Sequence, residues 1–349
     1  MKTTDKKTAT IKEVALRAGV SVMTVSRVIN HSALVNDDTR KKVQEAIVAL
    51  HYKPNRIAKS LVNGKSNIIG ILSSNMYNMA YTDSIDTIEE IAYKNGYMIF
   101  NANVNEYESA IAAVNNFIEL QVDGIIVLPL EMKMSHESDY RVSMEKIDKF
   151  IDYYEKTVKS SGIPTVTISQ KMKDIPDVAL DFKMLAQQAM DYLLKKGFRD
   201  IAYVTSLIDD GLWRDKENIY TDTMKKNGLE KYIAVYRGGP LEVEGGRTAT
   251  ENLLKTKIPQ AVFCANDMLA IGALQAIHVA GLRVPQDIAV IGNDNIYFSQ
   301  LTSPHLTTVS LNMRKAGKAA IRAMFAMLKG EAPQENVVIP TTLIVRESC

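Results

Sequence analysis

The sequence predicts a small all-α head followed by a large α/β body. Short helical patterns around a tight turn occupy the first fifty residues, whereas apolar strand-like runs alternate with amphipathic helices from Asn67 onward. A chain of 349 residues is long enough for such a head and for a body that is itself divided in two. We expect a helix-turn-helix head at 1–54, a hinge helix and linker at 55–66, and a ligand-binding body at 67–349.

The head begins with a pattern of helix, turn and helix. Apolar residues at helical spacing from Ile11 give the first helix a buried face. Gly19 can end this helix in the left-handed conformation, and Ser21 is a natural N-cap for the second helix. A third helical pattern follows from Asn36. This order is typical of a helix-turn-helix domain, whose second helix would present three residues to base edges: Val22, Met23 and Arg27.

The charge is divided unevenly along the chain. Residues 1–66 carry 13 Lys and Arg against 5 Asp and Glu, whereas the remainder carries 29 against 35. A run of positive charge alone is usually a solvated face, and a three-helix interaction module is the alternative interpretation of the head. Together with the helix-turn-helix pattern, however, a basic head indicates a surface that binds nucleic-acid phosphates.

A short helical segment follows the head. Pro54 disfavours helix at the residue before it and so ends the third helix, and Asn55 can cap a new segment that runs to Val62. A helix of about two turns is marginal in water without a neighbour to pack on. We therefore hypothesise that it folds only when it pairs with its copy on DNA; an ordinary helical linker is the alternative.

The body alternates strand patterns with helix patterns, which is typical of parallel sheets covered on both faces. In such sheets ligands bind beyond the carboxyl ends of the strands. The predicted strands are Ile68–Leu72, Tyr97–Asn101, Gly124–Leu128, Pro164–Ile168, Ile201–Thr205, Ala234–Tyr236, Ala261–Cys264 and Ile288–Ile291. The predicted helices are Asp83–Asn95, Ala110–Leu120, Leu185–Lys196, Tyr220–Asn227, Gly246–Lys255 and Leu269–Ala280.

Several classes of protein fit the composition poorly. No run of eighteen apolar residues is present, and the first residues are polar, so we expect a cytoplasmic protein without a membrane partner. Cys264 and Cys349 are too few for a disulfide framework. The five histidines are scattered without metal-ligand spacing or a catalytic signature, so we expect no metal, no cofactor and no enzyme. A free sugar-transport protein would need a signal peptide and no basic head.

Specific motifs make the chain resemble the LacI/GalR family of bacterial transcription regulators over essentially its whole length. The head carries Gly19-Val20-Ser21-x-x-Thr24-Val25-Ser26-Arg27-Val28-x-Asn30, and the hinge carries Tyr52-x-Pro54-Asn55-x-x-Ala58-x-x-Leu61. The body carries Ala265-Asn266-Asp267 and Pro304-x-Leu306-Thr307-Thr308-Val309. The resemblance implies two doubly wound parallel-sheet lobes of periplasmic-binding-protein type joined by three crossovers. We expect the first lobe at about 67–168 and 312–330, and the second at about 169–311 and 331–349.

The resemblance also implies a set of DNA-binding residues and a dimer on a pseudo-palindromic operator. Arg27 matches an arginine that is commonly placed against guanine, and Val22 and Met23 match the variable reading positions, where apolar side chains suit thymine methyls. Leu61 matches a leucine wedged into the minor groove. Thr10, Ser21, Thr24, Asn30 and Thr39 match phosphate-contacting positions, and the set is completed by Ser26, Asn55 and Ala58.

The implied effector site between the lobes departs from the family pattern. It comprises Ser74, Ser169, Trp213, Lys216, Asn266 and Asp294, of which Asp294 matches the aspartate that binds sugar hydroxyls. Lys216 stands where an arginine is usual and Ser169 where an aspartate is frequent, and lysine cannot make the bidentate contact of arginine. These changes favour an anionic effector, a sugar acid or a sugar phosphate, over a neutral sugar in a reshaped pocket. Trp213 either stacks on a sugar ring or packs in the core.

The expected function is a repressor of carbohydrate-utilisation genes. The alternative is a catabolite-control-like regulator whose co-effector is a serine-phosphorylated phosphocarrier protein. Such regulators also carry lysine at the position of Lys216, but they typically have Tyr-Asp where this chain has Arg314-Lys315. A further departure is the extra stretch at about Glu131–Ser161, for which the sequence predicts an amphipathic surface helix.

Overall fold

The computed structural model describes residues 9–29, 34–53, 64–74, 79–132, 143–207, 212–334 and 337–349, without the side chains of residues 212 and 213. The chain divides into two compact units, Met1–Ser66 and Asn67–Cys349. Within the described residues, no helix is both long enough and apolar enough to cross a membrane.

The head contains three helices, α1 (Ile11–Ala18), α2 (Val22–Ile29) and α3 (Asp37–Ala49). Their core is small and aliphatic, because Val14, Val25 and Val43 are completely buried, one from each helix. Gly19 ends α1 with a φ of 65°, in the left-handed region where glycine carries no Cβ penalty. The helix, turn and helix predicted from the sequence are present.

The body follows a strand–helix alternation throughout. Its first elements are β1 (Ile68–Ser73), a short 3-10 helix (Met79–Tyr81), α4 (Thr82–Lys94), β2 (Met98–Asn103), α5 (Tyr107–Glu119), β3 (Gly124–Val127), α6 (Met144–Ser161), β4 (Thr165–Ile168) and β5 (Asp177–Leu180). These are followed by α7 (Phe182–Lys195), β6 (Ile201–Thr205), α8 (Leu212–Lys226), a 3-10 helix (Glu230–Tyr232), β7 (Val235–Arg237), α9 (Val243–Leu254), β8 (Ala261–Cys264) and α10 (Asp267–Val279). The last elements are β9 (Ala289–Asp294), a 3-10 helix (Tyr297–Gln300), β10 (Thr307–Ser310), α11 (Met313–Leu328), β11 (Val337–Ile339) and β12 (Thr342–Ile344).

The strands form two six-stranded sheets, one in each lobe. The first has the order β11-β5-β4-β3-β1-β2, and all its strand pairs are parallel. The second has the order β12-β10-β9-β8-β6-β7 and is parallel except for β12, which pairs antiparallel with β10. The two doubly wound lobes expected from the sequence are therefore present.

Two strands lie in a different lobe from the one expected. The ranges 169–311 and 331–349 were assigned to the second lobe, but β5 and β11 pair with each other in the first sheet. The strand β5 has only four residues and only alternate ones are buried, so its pattern differs from the fully buried runs of central strands. Pro340 separates β11 from β12, and a local pattern cannot assign each of these strands to its own sheet. The crossovers fall between β5 and α7, between β10 and α11, and between β11 and β12.

The extra stretch at Glu131–Ser161 contains α6, which starts at Met144; residues 133–142 lie outside the described part of the chain. This helix is amphipathic, as predicted. Its apolar side chains pack into the core of the first lobe, because Phe150 and Tyr154 are completely buried.

Candidate DNA-binding surface and effector cleft

The second helix of the head exposes the residues that the sequence predicts to read bases. Val22 is 41% exposed, Met23 is 64% exposed and Arg27 is also exposed. The opposite face of α2 carries Val25 and Val28, which are buried against α1 and α3. The three predicted reading residues therefore share one solvent-facing side of a helix that the head core holds in place.

The predicted phosphate-contacting residues cluster at helix N-termini. Thr10 caps α1: its backbone N–H donates to the Glu13 carboxylate (2.6 Å) and its Oγ1 accepts from the Glu13 N–H (3.4 Å). Ser21 Oγ accepts from the Thr24 N–H (3.1 Å) at the start of α2. Thr39 lies in the first turn of α3. Helix N-termini present backbone N–H donors and a partial positive charge, which suit phosphate oxygens.

Five of the predicted DNA-binding and effector-binding residues lie wholly or partly outside the residues that the structure describes. Asn30, Asn55, Ala58 and Leu61 lie outside the described residues, and only the backbone of Trp213, in α8, lies within them. Ser26 is half-buried in α2.

The candidate effector cleft lies at the carboxyl ends of strands from both lobes. Ser74 follows β1, Glu131 follows β3 from the same sheet, and Asp294 ends β9 in the other sheet. Tyr81, in the first lobe, is buried, and the pKa of its hydroxyl is raised by burial and then by the carboxylates of Glu131 and Asp294. Groups of the two lobes therefore face each other at this point.

Lys216 is the buried cation of the cleft. It is 1% exposed, and its ammonium donates to the Ala265 carbonyl oxygen at 2.8 Å. Burial lowers the pKa of Lys216, and the carboxyl groups of Asp294, Asp267 and Glu131 oppose that shift. Burial in turn raises the pKa of Asp294 from 3.8 to about 6, while Lys216 acts to lower it. One ammonium group therefore faces three carboxyl groups.

Asp267 anchors the turn that carries Asp294. Its two carboxyl oxygens accept from the Thr308 hydroxyl (2.6 Å) and from the Ile296 N–H (2.9 Å), and burial raises its pKa. This arrangement favours glycine at position 292, because a Cβ there would lie 2.2 Å from Asp267 Oδ1 and would force the carboxyl group to shift.

Three of the predicted effector residues form side-chain hydrogen bonds with backbone groups. The Ser74 hydroxyl donates to the Pro129 carbonyl (2.8 Å). Ser169 lies in the first lobe, not the second, and its Oγ accepts from the Leu180 N–H (2.6 Å). Asn266 caps α10 through its Oδ1, and its Nδ2 donates to the Leu241 carbonyl (3.2 Å). Asp294 and Lys216 are the predicted residues whose charges act on each other.

Sequence reasoning missed several residues of the cleft. Glu131 and Tyr81 carried no recognisable signal, and Asp267 was quoted only as part of a motif. Asn293 is completely buried, and within the described chain neither polar atom of its amide has a hydrogen-bond partner. Buried amides are normally paired. A polar residue directly before the predicted Asp294 was the available signal. Among the described residues, no group of three or more His, Cys, Asp or Glu is placed to hold a metal ion.

A helix-turn-helix head followed by a two-lobed body with a polar cleft is the architecture of a DNA-binding regulator. Comparison with known proteins agrees. Residues 10–55 match the model of the bacterial regulatory proteins of the lacI family, and residues 190–349 match a periplasmic binding protein-like domain. The HTH-type transcriptional repressor PurR of Erwinia tasmaniensis is 33% identical over 347 residues, covering 97% of this chain and 96% of the relative. Catabolite control protein A of Priestia megaterium is 30% identical, covering 97% and 98%.

This chain belongs to the lacI family of DNA-binding transcriptional regulators, which confirms the resemblance and the fold class predicted from the sequence. A solved structure agrees over the whole chain. The Lac repressor dimer bound to operator and the anti-inducer ONPF has a TM-score of 0.80 and 25% identity, covering 98% of this chain and 99% of that one.

Proposed function

We propose that this protein represses carbohydrate-utilisation genes by binding a pseudo-palindromic operator as a homodimer, under the control of a sugar in the cleft between its lobes. The observation that carries the proposal is a polar cluster, contributed by both lobes, in the same chain as an exposed reading helix. A ligand that prefers one arrangement of the lobes can shift the population of DNA-binding molecules. We propose no catalytic role, and a cytoplasmic location is part of the proposal.

Operator reading is assigned to the exposed face of α2. The guanidinium of Arg27 suits the two acceptors of guanine, and the apolar Val22 and Met23 suit thymine methyl groups. Selection from a pool of random duplexes tests this assignment. The expected result is an enriched site with two inverted halves. Enrichment of a single, unrepeated half-site would contradict operator binding by a dimer.

Dimerisation is supported by exposed apolar side chains at the edge of the first sheet. β2 is an edge strand, and it exposes Met98 (50%) and Phe100 (45%), while Tyr93 on the adjacent α4 is 80% exposed. An open apolar strand edge is a site for association. Sedimentation equilibrium is expected to give a dimer and Phe100→Asp to weaken it; a monomeric wild type at micromolar concentration would reject this part of the proposal.

The charges of the cleft favour a neutral sugar over the anionic effector that the sequence favoured. Lys216 already donates to a carbonyl and faces the carboxyl groups of Asp294, Asp267 and Glu131. An anion would add negative charge beside three carboxyl groups that, among the described residues, surround one buried ammonium group. A carboxylate such as Asp294, by contrast, can accept from two hydroxyls of one sugar.

Calorimetric titration of matched sugars tests the choice. Glucose, galactose, ribose and cellobiose are compared with glucuronate, galacturonate and glucose 6-phosphate. We expect a neutral sugar to bind, and Asp294→Ala to weaken it at least tenfold. Tight binding of a uronate or hexose phosphate that Lys216→Met abolishes would restore the anionic assignment.

The catabolite-control-like alternative is kept because Catabolite control protein A is as extensive a relative as any named above. Against it, Arg314 stands in α11 where such regulators typically have tyrosine, and its guanidinium lies 3.0 Å from the Asp83 carboxylate on α4. Retention of the serine-phosphorylated phosphocarrier protein, but not of its unphosphorylated form, would favour the alternative.

A further inference from the structure

The last segment of the chain reaches back to the turn that carries Asp294. Arg346 lies two residues beyond β12, and its guanidinium donates from Nη2 to Asn295 Oδ1 at 2.7 Å. From Nη1 it donates to the Leu306 carbonyl at 2.7 Å and to the Ser299 hydroxyl at 3.2 Å. Its own backbone N–H donates to Thr307 Oγ1 at 2.9 Å. Hydrogen bonds therefore hold both the backbone and the guanidinium of Arg346, and one of the guanidinium bonds is to the side chain of a turn residue.

The turn is one that needs external support. Asp294 has a φ of 108° and Asn295 a φ of 55°, so two successive residues other than glycine lie in the left-handed region. Such conformations persist when the surrounding structure holds them in place. The Asn295 N–H donates to Thr308 Oγ1 (3.2 Å) and the Ile296 N–H to Asp267 (2.9 Å), while Arg346 holds the Asn295 side chain.

The support is also electrostatic. Arg346 is half-buried, and its positive charge acts to lower the pKa of the buried Asp267 carboxyl, which burial raises. Asp267 in turn binds the turn through the Ile296 N–H. Arg346 thus supports the turn directly through Asn295 and indirectly through Asp267.

We propose that Arg346 is a positioning residue of the effector site, which holds Asn295 so that the preceding Asp294 is fixed to accept effector hydroxyls. This inference rests on the proposed function. Because Arg346 follows the crossover from β11 to β12, it also links the end of the last interlobe connection to the effector-binding turn.

The first arm of the test measures sugar affinity. The neutral sugars glucose, galactose, ribose and cellobiose are titrated into full-length wild type, Arg346→Met, Asn295→Ala and the double variant, well below their unfolding temperatures. We expect each single variant to lose at least tenfold in affinity and the double variant to lose no more than either, since both break one contact. Arg346→Lys is expected to recover part of the loss.

Arg283→Met is the matched control. Arg283 lies in the same lobe, its side chain is 72% exposed, and it pairs with Asp287 at 2.8 Å, away from the turn. Its sugar affinity is expected to stay within twofold of wild type. If Arg346 had only a structural role, Arg346→Met and Asn295→Ala would lower the unfolding temperature but keep sugar affinity within twofold of wild type. That result overturns the inference.

The second arm needs no sugar. The free energy of unfolding is measured from pH 3.5 to 8 for wild type and for Arg346→Met, each with and without the additional substitution Asp294→Asn. The difference between the members of each pair isolates the titration of Asp294, because Lys216, Asp267 and Tyr81 are present in both. In wild type this difference is expected to grow from about pH 4 and to level off near the raised pKa of Asp294, about 6. In Arg346→Met the loosened turn admits water, so the pH at which the difference levels off is expected to fall by at least one unit toward the ordinary pKa of an aspartate.

The two arms separate two kinds of failure. If wild type binds none of the four sugars, the proposed sugar effector fails, and the pH arm alone decides the inference. If the difference levels off at the same pH in Arg346→Met as in wild type, the inference is overturned in either case. If Arg346→Met does not fold, Asn295→Ala carries both arms, because it removes only the acceptor of the Arg346 contact.

Discussion

Replacing Asp294 by asparagine should stabilise the effector-free protein at neutral pH. Burial raises the pKa of this carboxyl from 3.8 to about 6, so the folded state holds its proton more tightly than the unfolded state does. Stability from this group is present below about pH 4 and is lost as the pH rises towards 6, where the folded carboxyl ionises. Asparagine keeps the shape and removes the ionisation.

The expected gain follows from the size of the shift. A shift of about two pKa units corresponds to about 3 kcal/mol, at about 1.4 kcal/mol for each unit. Asp294→Asn should therefore exceed wild type by about 3 kcal/mol in the free energy of unfolding at pH 7.5 and match it near pH 3.5. Urea unfolding at one fixed protein concentration measures this difference.

Asp287→Asn is the matched control, with the opposite expected sign. The Arg283 contact lowers the pKa of Asp287 to about 2, so its ionised form stabilises the folded state above about pH 4. This variant should lose stability at pH 7.5. An Asp294→Asn variant that is less stable than wild type at pH 7.5 would refute the reasoning, because it would mean that the ionised carboxylate stabilises the turn.

Three further substitutions test other parts of the molecule. Arg27→Ala should lose about 1–3 kcal/mol of specific binding free energy and relax the preference at one base pair of each half-site in a competition assay. Arg17→Ala, on the exposed side of α1, is the control and should keep that preference in the same assay. Leu61→Ala should weaken operator binding far more than binding to random duplex, because a minor-groove wedge contributes only on bent, correctly spaced DNA; equal losses in a filter-binding assay would exclude the wedge. Gly292→Ala should destabilise the body by about 1–3 kcal/mol, because its Cβ would lie 2.2 Å from Asp267 Oδ1, and an unchanged urea midpoint would show that the carboxyl group can move aside.

The elements that the sequence predicted well are those specified by local signals. In the head, Gly19 and Ser21 mark the turn, and the structure ends α1 and begins α2 at these residues. In the body, the predicted strands Ile201–Thr205 and Ala261–Cys264 coincide with β6 and β8. Both strands are central in their sheet and completely buried, so their apolar runs are unbroken.

The lobe boundaries depend on pairing between distant parts of the chain. β5 and β11 pair across more than 150 residues, with Val178 opposite Val337. Edge and near-edge strands such as these are short and only partly buried, so their patterns are weak. The sequence therefore predicted two lobes and three crossovers from the resemblance, but the strands next to two of the crossovers were assigned to the wrong lobe.

The effector class that we propose differs from the one that the sequence favoured, because the effect of a charged side chain depends on its neighbours in space. In the sequence, Lys216 in place of the usual arginine and Ser169 in place of a frequent aspartate both favour an anion. In the structure, Ser169 bonds the Leu180 N–H, and Lys216 faces carboxyl groups of both lobes, including Glu131, which follows β3. Lys216 therefore compensates the negative charge of the protein's own carboxyl groups. We propose that such a site favours hydroxyl groups, because among the described residues an added negative charge would have to compete with three carboxyl groups for one buried ammonium group.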